Sequence, residues 1–153
     1  LQAENFRIAL SVSYNSFTNL IKFSSNNILS YPIYAAYNSY ILITPEEDIN
    51  ISNTNPDITS LAAICSNSGF VHMYSHNLII DKVNSGLYAT SLGKIHLGTN
   101  AYINISNATN AILVEKGGLV SLNNPIVLGV NVTNEICPTN LIKNTFDYRG
   151  QVL

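Results

Sequence analysis

Residues 87–97 read Leu-Tyr-Ala-Thr-Ser-Leu-Gly-Lys-Ile-His-Leu, and variations of this phrase recur along the chain. Each copy has an apolar, a variable and a small apolar residue, then a polar turn with Gly or Ser, then two apolar residues in alternation. The starts of the full copies lie 30, 24 and 25 residues apart. Such spacing, with alternation inside each repeat, is typical of a supersecondary unit that is stacked many times. The full copies run Ile33–Ile43, Ala63–Met73, Leu87–Leu97 and Ile112–Leu122, and weaker copies contain Leu10 and Val12 or begin at Ile136.

The length of the repeat indicates a parallel β-helix. Three strands of about five residues joined by turns of two to four residues need about two dozen residues, which make one coil. Helical repeats are excluded because no segment sustains apolar residues at i, i+3, i+4 and i+7. The third strand of each coil is predicted at Ile49/Ile51, Leu78/Ile80, Ile103/Ile105 and Ile126–Val130.

We therefore predict an all-β fold, a right-handed parallel β-helix (β-solenoid) of about five to six coils. The alternative is an antiparallel β-sandwich, because the spacing also fits pairs of hairpins. Hairpins favour Asn-Gly or Asp-Gly turns, and the chain contains neither dipeptide. We assign residues 1–136 to the β-helix and residues 137–153 to a C-terminal cap or linker. Because Leu1 is not an initiator methionine, we expect a fragment of a longer chain.

Composition excludes several function classes. Charged residues make up 10 % of the chain, against about a quarter in an ordinary globular domain, which indicates that much of the surface is covered. The net charge is −2 and the seven Lys and Arg residues are scattered, so no basic stripe is available for nucleic acid. No apolar stretch is long enough for membrane insertion. Phosphate-loop, zinc and calcium-repeat motifs do not occur, and we predict no cofactor.

Asn, Ser and Cys carry further structural information. Asn and Ser are abundant at the predicted turns, where Asn tolerates the left-handed conformation and can stack from coil to coil. Cys65 aligns with Ala35 and Ala89 at a small inward position. A disulfide to Cys137 would cross about three coils, roughly 14 Å, which exceeds disulfide reach. We predict two free thiols, which fits assembly in a cytoplasm.

The alternation also predicts which residues point outwards. If Ile33, Ala35 and their equivalents face the core, the residues between them form an apolar ladder larger than soluble monomers usually expose. We therefore expect another chain to cover this ladder. A register shifted by one residue would instead bury it, and the sequence leaves that alternative open. The ladder is Tyr34, Ile64, Tyr88 and Leu113; the next strand presents Tyr40, Phe70, Lys94 and Leu119 outwards, then Leu42, His72, His96 and Ser121.

His72 and His96 occupy equivalent positions one coil apart, so their Cβ atoms are expected about 5 Å from each other. Leu42 and Ser121 flank them in the same row, so the row offers no third ligand and we predict no metal site. We expect the two imidazoles to be polar members of a surface between subunits.

Phrases such as Gly86-Leu87-Tyr88-Ala89 followed by Gly93-Lys94-Ile95-His96-Leu97 resemble the coils of phage tail fibres and tailspikes over approximately residues 28–130. The motif is loose, since bacterial adhesins and polysaccharide lyases use similar coils. The resemblance implies a homotrimer that binds bacterial surface polysaccharide, in the phage tail of the virion or outside the cell, after assembly in the host cytoplasm. The predicted trimer interface comprises Tyr34, Ile64, Tyr88, Leu113, His72 and His96.

Two functions are compatible with this resemblance. We favour a structural and receptor-binding segment of a tail fibre or tailspike that recognises bacterial surface glycan without chemistry of its own. Tyr31, Tyr37 and Tyr74 lie near turns and are the first candidates for stacking on sugar rings.

The alternative is a polysaccharide depolymerase, a glycoside hydrolase or lyase acting on capsule or O-antigen. A glycosidase needs two carboxylates about 5 to 10 Å apart on one surface. The weak candidates are Glu46, Glu47 and Asp57, because Asp57 lies in the longest insertion of the repeat and insertions often lie on the functional face of a solenoid. The same residues also suit ordinary solvated turns.

Overall fold

The chain is a stack of short β-strands. The computed structural model describes residues 1–55, 57, 59–137, 142–144 and 147–149, and this part contains fifteen strands and no helix. A helix able to cross a membrane is accordingly absent from the described residues. The strands are β1 Gln2–Glu4, β2 Ile8–Val12, β3 Phe17–Leu20, β4 Ser24–Asn26, β5 Tyr31–Ala36, β6 Tyr40–Ile43, β7 Ile49–Ser52, β8 Ser60–Asn67, β9 Phe70–Thr90, β10 Lys94–Val114, β11 Leu119–Leu122, β12 Val127–Leu128, β13 Val132–Cys137, β14 Ile142–Asn144 and β15 Asp147–Arg149.

The strands form three faces, and each face is a ladder of parallel neighbours. Face A contains β2, β5, β8, the end of β9, the end of β10 and β13. Face B contains β3, β6, the beginnings of β9 and β10, and β11. Face C contains β1, β4, β7, the middles of β9 and β10, and β12. The fold is a parallel β-solenoid of about five turns. The prediction of a parallel β-helix is confirmed, and the alternative prediction of an antiparallel β-sandwich is wrong.

Equivalent apolar residues of successive coils pack on one another inside the solenoid. Parallel strands lie about 4.8 Å apart, so residues in register are in direct contact. Burying each aliphatic side chain contributes about 1.5–3 kcal/mol relative to leaving it in water. The registered core positions include Ile41, Val71, Ile95 and Val120 on face B and Ile49, Leu78 and Ile103 on face C, each at most 1 % exposed.

On face A the predicted register is wrong by one residue in β8. Ile64, not Ala63, pairs with Ile33 and with Leu87. Ile64 is therefore fully buried in the core and does not belong to an outward ladder or to a trimer interface. The physical reason is that this stretch is apolar in both phases, and Ile64 fills a core position in which the smaller Ala63 would leave a cavity.

Cys65 is consequently not an inward residue but lies in the outward ladder, in register with Tyr34 and Tyr88. It is nevertheless only 1 % exposed, and burial raises the pKa of its thiol to about 12. Cys137 is in register with Leu113, which places the two cysteines three strand steps apart, roughly 14 Å. This separation agrees with the predicted absence of a disulfide, and Cys65 is free.

Four turns from face A to face B use two consecutive left-handed residues, and the turn at Ser68 uses one; this conformation costs most for bulky side chains. From the second coil onwards, the residue after each pair passes close to the coil below. Ser39 occupies this position in the second coil, where its Oγ donates to Val12 O at 2.7 Å and accepts from Ala36 N at 2.9 Å. The left-handed pairs are Tyr14-Asn15, Tyr37-Asn38, Ser91-Leu92 and Lys116-Gly117.

The turns from face C to face A form a ladder of asparagines. Asn27, Asn107 and Asn131 are left-handed, with φ between 50° and 57°. Asn131 Nδ2 donates to Asn107 Oδ1 at 2.8 Å, and Asn107 Nδ2 donates to Asp81 Oδ1 at 2.7 Å. Asn53 holds the longest insertion, because its buried Oδ1 accepts from Ile28 N at 3.1 Å. The predicted stacking of turn asparagines is confirmed in this ladder.

The described part of the C-terminal segment adds two antiparallel strands to face B. β15 pairs with β11 on one side and with β14 on the other. Residues 138–141, 145, 146 and 150–153 lie outside the described residues, so the assignment of 137–153 as a cap or linker stays a prediction.

Candidate ligand-binding face

The outer surface of face B presents two rows of side chains. They point outwards because the alternate residues, such as Ile41 and Ile43, point into the core. The first row is Phe17, Tyr40, Phe70, Lys94 and Leu119; the second row is Asn19, Leu42, His72, His96 and Ser121. The outward orientation predicted for these two rows from Tyr40 onwards agrees with their partial exposure.

Five aromatic side chains on this surface form a continuous stack, here called the aromatic platform: Phe17, Tyr40, Phe70, His72 and Tyr74. Ring centroids are 5.4 Å apart for Phe17–Tyr40, 5.1 Å for Tyr40–Phe70, 5.8 Å for Phe70–His72 and 4.1 Å for His72–Tyr74. The two ends of the platform are open to solvent, since Phe17 is 60 % and Tyr74 51 % exposed. Because neighbouring rings cover each other's faces within the stack, the platform offers apolar ring edges along its length and more open ring surface at Phe17 and Tyr74.

Polar contacts hold the middle of the platform. The His72 and His96 ring centroids are 4.7 Å apart, which confirms the predicted pairing. Tyr40 OH lies 3.3 Å from His72 Nδ1. Burial, and then the neighbouring His96, lowers the pKa of His72, which favours the neutral ring. In the tautomer with a bare Nδ1, this ring accepts a hydrogen bond from the Tyr40 hydroxyl. Among the described residues, no group of three His, Cys, Asp or Glu side chains is placed to hold a metal ion.

A shallow groove of about 580 Å³ runs beside the platform at the turn from face A. Its aromatic wall is formed by Tyr40 and Phe70, and Lys94 lies at one end. The polar side chains of Asn38 and Ser68 complete the wall on the turn side. The groove therefore combines two aromatic rings, one cation and small hydrogen-bonding groups, which are the elements of a polar small-molecule site.

The three tyrosines predicted to bind glycan lie in three different places. Tyr74 is at the end of the aromatic platform. Tyr37 is in the turn from face A to face B and stacks on Tyr14, with ring centroids 4.8 Å apart and planes 10° apart. Tyr31 is on face A and stacks on Tyr34 at 5.2 Å, and burial raises its pKa. The structure thus brings Tyr74 together with the platform and leaves Tyr31 and Tyr37 in separate pairs.

The candidate carboxylates are not brought together. Glu46 and Glu47 precede β7 and Asp57 follows it, so the strand, about 13 Å long, lies between them. Glu47 Oε1 accepts an ion pair from Lys22 Nζ at 2.9 Å, and Asp57 N donates to Asn55 Oδ1 at 3.0 Å. The separation exceeds the range that paired glycosidase carboxylates need.

The outward ladder on face A is partly covered by its own contacts. Tyr88 OH donates to Glu115 Oε2 at 2.8 Å, and Tyr34 OH accepts from Asn67 Nδ2 at 3.3 Å. Burial, followed by the bond to Glu115, raises the pKa of Tyr88 to about 12. Together with Leu113, these half-buried side chains leave a moderately apolar strip on the outer surface of face A.

The aromatic platform contains functional candidates that the sequence had not singled out for binding, namely Phe17, Tyr40 and Phe70. The available signal was that each stands at the same offset, one residue before the first inward residue of face B. Comparison of the chain with protein-family models, with curated proteins and with solved structures finds no match. The side chains on the faces of the solenoid are therefore the features from which a function can be inferred.

Proposed function

We propose that this chain is a structural and receptor-binding segment of a phage-type tail fibre or tailspike and that it recognises a bacterial surface glycan through face B. The observation that carries the proposal is the aromatic platform. Pyranose rings have apolar C–H faces that stack on aromatic side chains, and hydroxyl groups at their edges that bind amides and hydroxyls. The sequence resemblance to tail-fibre and tailspike coils supports the same assignment.

The shape of the solenoid suits an extended ligand. Equivalent residues recur about every 4.8 Å along the axis, so a polymer that lies along face B would meet one outward row after another. The stack from Phe17 through Tyr40 to Phe70 follows this direction across three strands.

The rival function, a polysaccharide depolymerase, gains no support from the placement of its carboxylates. Incubation of the protein with bacterial capsule or lipopolysaccharide distinguishes the two functions. We expect binding without new reducing ends or unsaturated products. Cleavage that is abolished by Glu47→Gln or Asp57→Asn would establish the depolymerase instead.

Tyr74→Ala is expected to weaken glycan binding by about three- to tenfold, because one aromatic stacking contact contributes about 0.5–1.5 kcal/mol beyond its area. Tyr102→Ala is the matched control, since Tyr102 is 48 % exposed but lies on face C. Binding to an array of bacterial capsular and O-antigen polysaccharides measures both variants. Equal losses in the two variants would place the binding site away from face B.

We also propose that three copies associate through the outer surface of face A. The ladder that supports this assembly, with Cys65 in place of Ile64, is Tyr34, Cys65, Tyr88 and Leu113. His72 and His96, which were predicted at the same interface, lie on face B and are therefore left out of this proposal.

Tyr88→Asp is expected to shift the protein from trimer towards monomer, raising the dissociation constant at least about tenfold. The variant removes an aromatic side chain worth about 1.5–3 kcal/mol of burial and adds a charge beside Glu115. Tyr102→Asp, on face C, should leave the assembly unchanged. Light scattering over a concentration series measures both, and a trimer that persists in Tyr88→Asp with unchanged melting would contradict this interface.

A further inference from the structure

The outer surface of face B carries an unusual charge pattern for this chain. The chain has nine acidic and seven basic residues, a net charge of −2. Yet the ten outward positions on the parallel strands of face B contain one lysine, two histidines and no carboxylate. At the edge of the face, β15 adds one charge of each sign, with Arg149 in register with Leu119 and Asp147 with Ser121. The parallel strands of this net-acidic protein thus present a lysine and no carboxylate on face B, which favours an anionic ligand over a cationic one.

Three carboxylates near the borders of face B bind other partners. Glu115 follows β10 directly, but its carboxylate accepts the Tyr88 hydroxyl on face A. Glu47, beyond the other edge, forms an ion pair with Lys22. Asp48 accepts hydrogen bonds from Asn77 N and Nδ2, each at 3.0 Å. Each of these three carboxylates thus directs its oxygens to a partner other than the cation on face B.

That cation is Lys94. Its side chain is exposed and forms no ion pair with any residue that the structure describes. In the first row it follows Phe70 directly, and Phe70 follows Tyr40. Two strand steps separate Tyr40 from Lys94, roughly 10 Å, so a short stretch of sugar chain that stacks on the two rings reaches the lysine.

We propose that the groove formed by Tyr40, Phe70 and Lys94 binds an acidic sugar of a bacterial surface polysaccharide, a uronic or sialic acid residue. The sugar ring packs against the edges of the Tyr40 and Phe70 rings that line the groove, and the Lys94 ammonium donates to the carboxylate. Asn38 and Ser68 in the same groove supply partners for the hydroxyl groups. This inference rests on the proposed glycan-binding function and names the class of sugar that the site selects.

The test uses matched pairs of polysaccharides. A glucuronic-acid polymer and a sialic-acid polymer are each immobilised beside the same polymer after reduction of its carboxyl groups to neutral alcohols. The wild-type protein is expected to bind at least one acidic polymer about two- to fivefold more tightly than its reduced form, as expected for an exposed pair of a lysine and a carboxylate. The preference should decrease when salt is raised, because the lysine is exposed.

Lys94→Gln is expected to bind the acidic polymer as weakly as wild type binds the reduced one. Lys82→Asn is the matched control: it removes the same charge from a residue in the turn from face C to face A, whose φ of 57° suits asparagine. Lys82→Asn should keep the full preference for the acidic polymer. Thermal melting of both variants checks that the fold is intact.

The possible failures are distinguishable. Equal binding of wild-type protein to acidic and reduced forms would refute the acidic-sugar inference and leave the glycan-binding function standing. An unchanged preference in Lys94→Gln would refute the assignment of the site. Binding to no polysaccharide, acidic or neutral, would overturn the proposed function itself.

Discussion

Gly93→Ala is expected to destabilise the solenoid by more than about 4 kcal/mol, at the extreme of single-residue effects. A Cβ atom at Gly93 would lie 2.6 Å from the Ser66 carbonyl carbon and 2.8 Å from Thr90 O, and closer still to Ser66 O. All of these are backbone atoms, so no side-chain rotation can relieve the clash. The turn would have to move away from the coil beneath it, which breaks the backbone bond from Gly93 N to Thr90 O.

Gly98→Ala is the control, because its Cβ would meet its nearest neighbour, Tyr74 O, at 3.3 Å. We expect this change to cost less than about 1 kcal/mol. Urea denaturation midpoints compare the two variants at equal protein concentration. Similar midpoints for Gly93→Ala and Gly98→Ala would show that the turns from face A to face B are less closely packed than the structure has them.

Ile64→Ala is expected to cost about 2–5 kcal/mol, since it leaves a cavity between Ile33 and Leu87 in the core. Leu61→Ala in the same strand is the control, because Leu61 is 50 % exposed and its truncation should cost less than about 1 kcal/mol. The measurement is again the urea midpoint. The result checks the corrected register, in which Ile64 faces inwards.

The reverse order of effects would restore the register predicted from the sequence. In that register Ile64 points outwards and Ala63 fills the core, so truncating Ile64 would scarcely change the midpoint. A large shift of oligomeric state in Ile64→Ala, with the midpoint of the folded subunit unchanged, would also favour the original register.

The fold was predictable because the apolar residues that form the core recur at regular intervals along the sequence. On face B, Val71/Met73 and Ile95/Leu97 each enclose a histidine and Val120/Leu122 enclose Ser121, so the alternation has one solution. The same holds on face C for Ile49/Ile51 and Ile103/Ile105, which enclose Asn50 and Asn104. The period then determines the number of strands per coil through the length of a strand and a turn.

The register of β8 was not predictable for the opposite reason. Ala62, Ala63, Ile64 and Cys65 are all apolar, and all are buried. Alternation cannot select a phase when both phases are apolar, and the decision falls to volume: the larger Ile64 must match Ile33 in the coil below. That match depends on three-dimensional packing between residues far apart in the sequence.

Only part of the candidate binding face could be predicted from the sequence. Tyr40, Phe70 and Lys94 were predicted to point outwards, but their common alignment with Phe17 requires knowing that β3 belongs to the same ladder. Conversely, Tyr31 and Tyr37 were chosen for their position near turns. Each instead stacks on a tyrosine, and for Tyr37 the partner Tyr14 comes from the preceding coil. Which side chains meet across neighbouring coils depends on how the coils stack, and the sequence around each residue does not show it.

The coil-on-coil architecture has a consequence for how stability is distributed along the chain. Each strand in the interior of the stack pairs with the coil before it and the coil after it, so the protein behaves as a one-dimensional array in which cooperativity passes from neighbour to neighbour. Opening costs least at the ends, where β1, β2 and β3 are each paired on one side only. Amide hydrogen exchange should therefore be slowest in β9 and become faster outwards, coil by coil, towards the N-terminal strands.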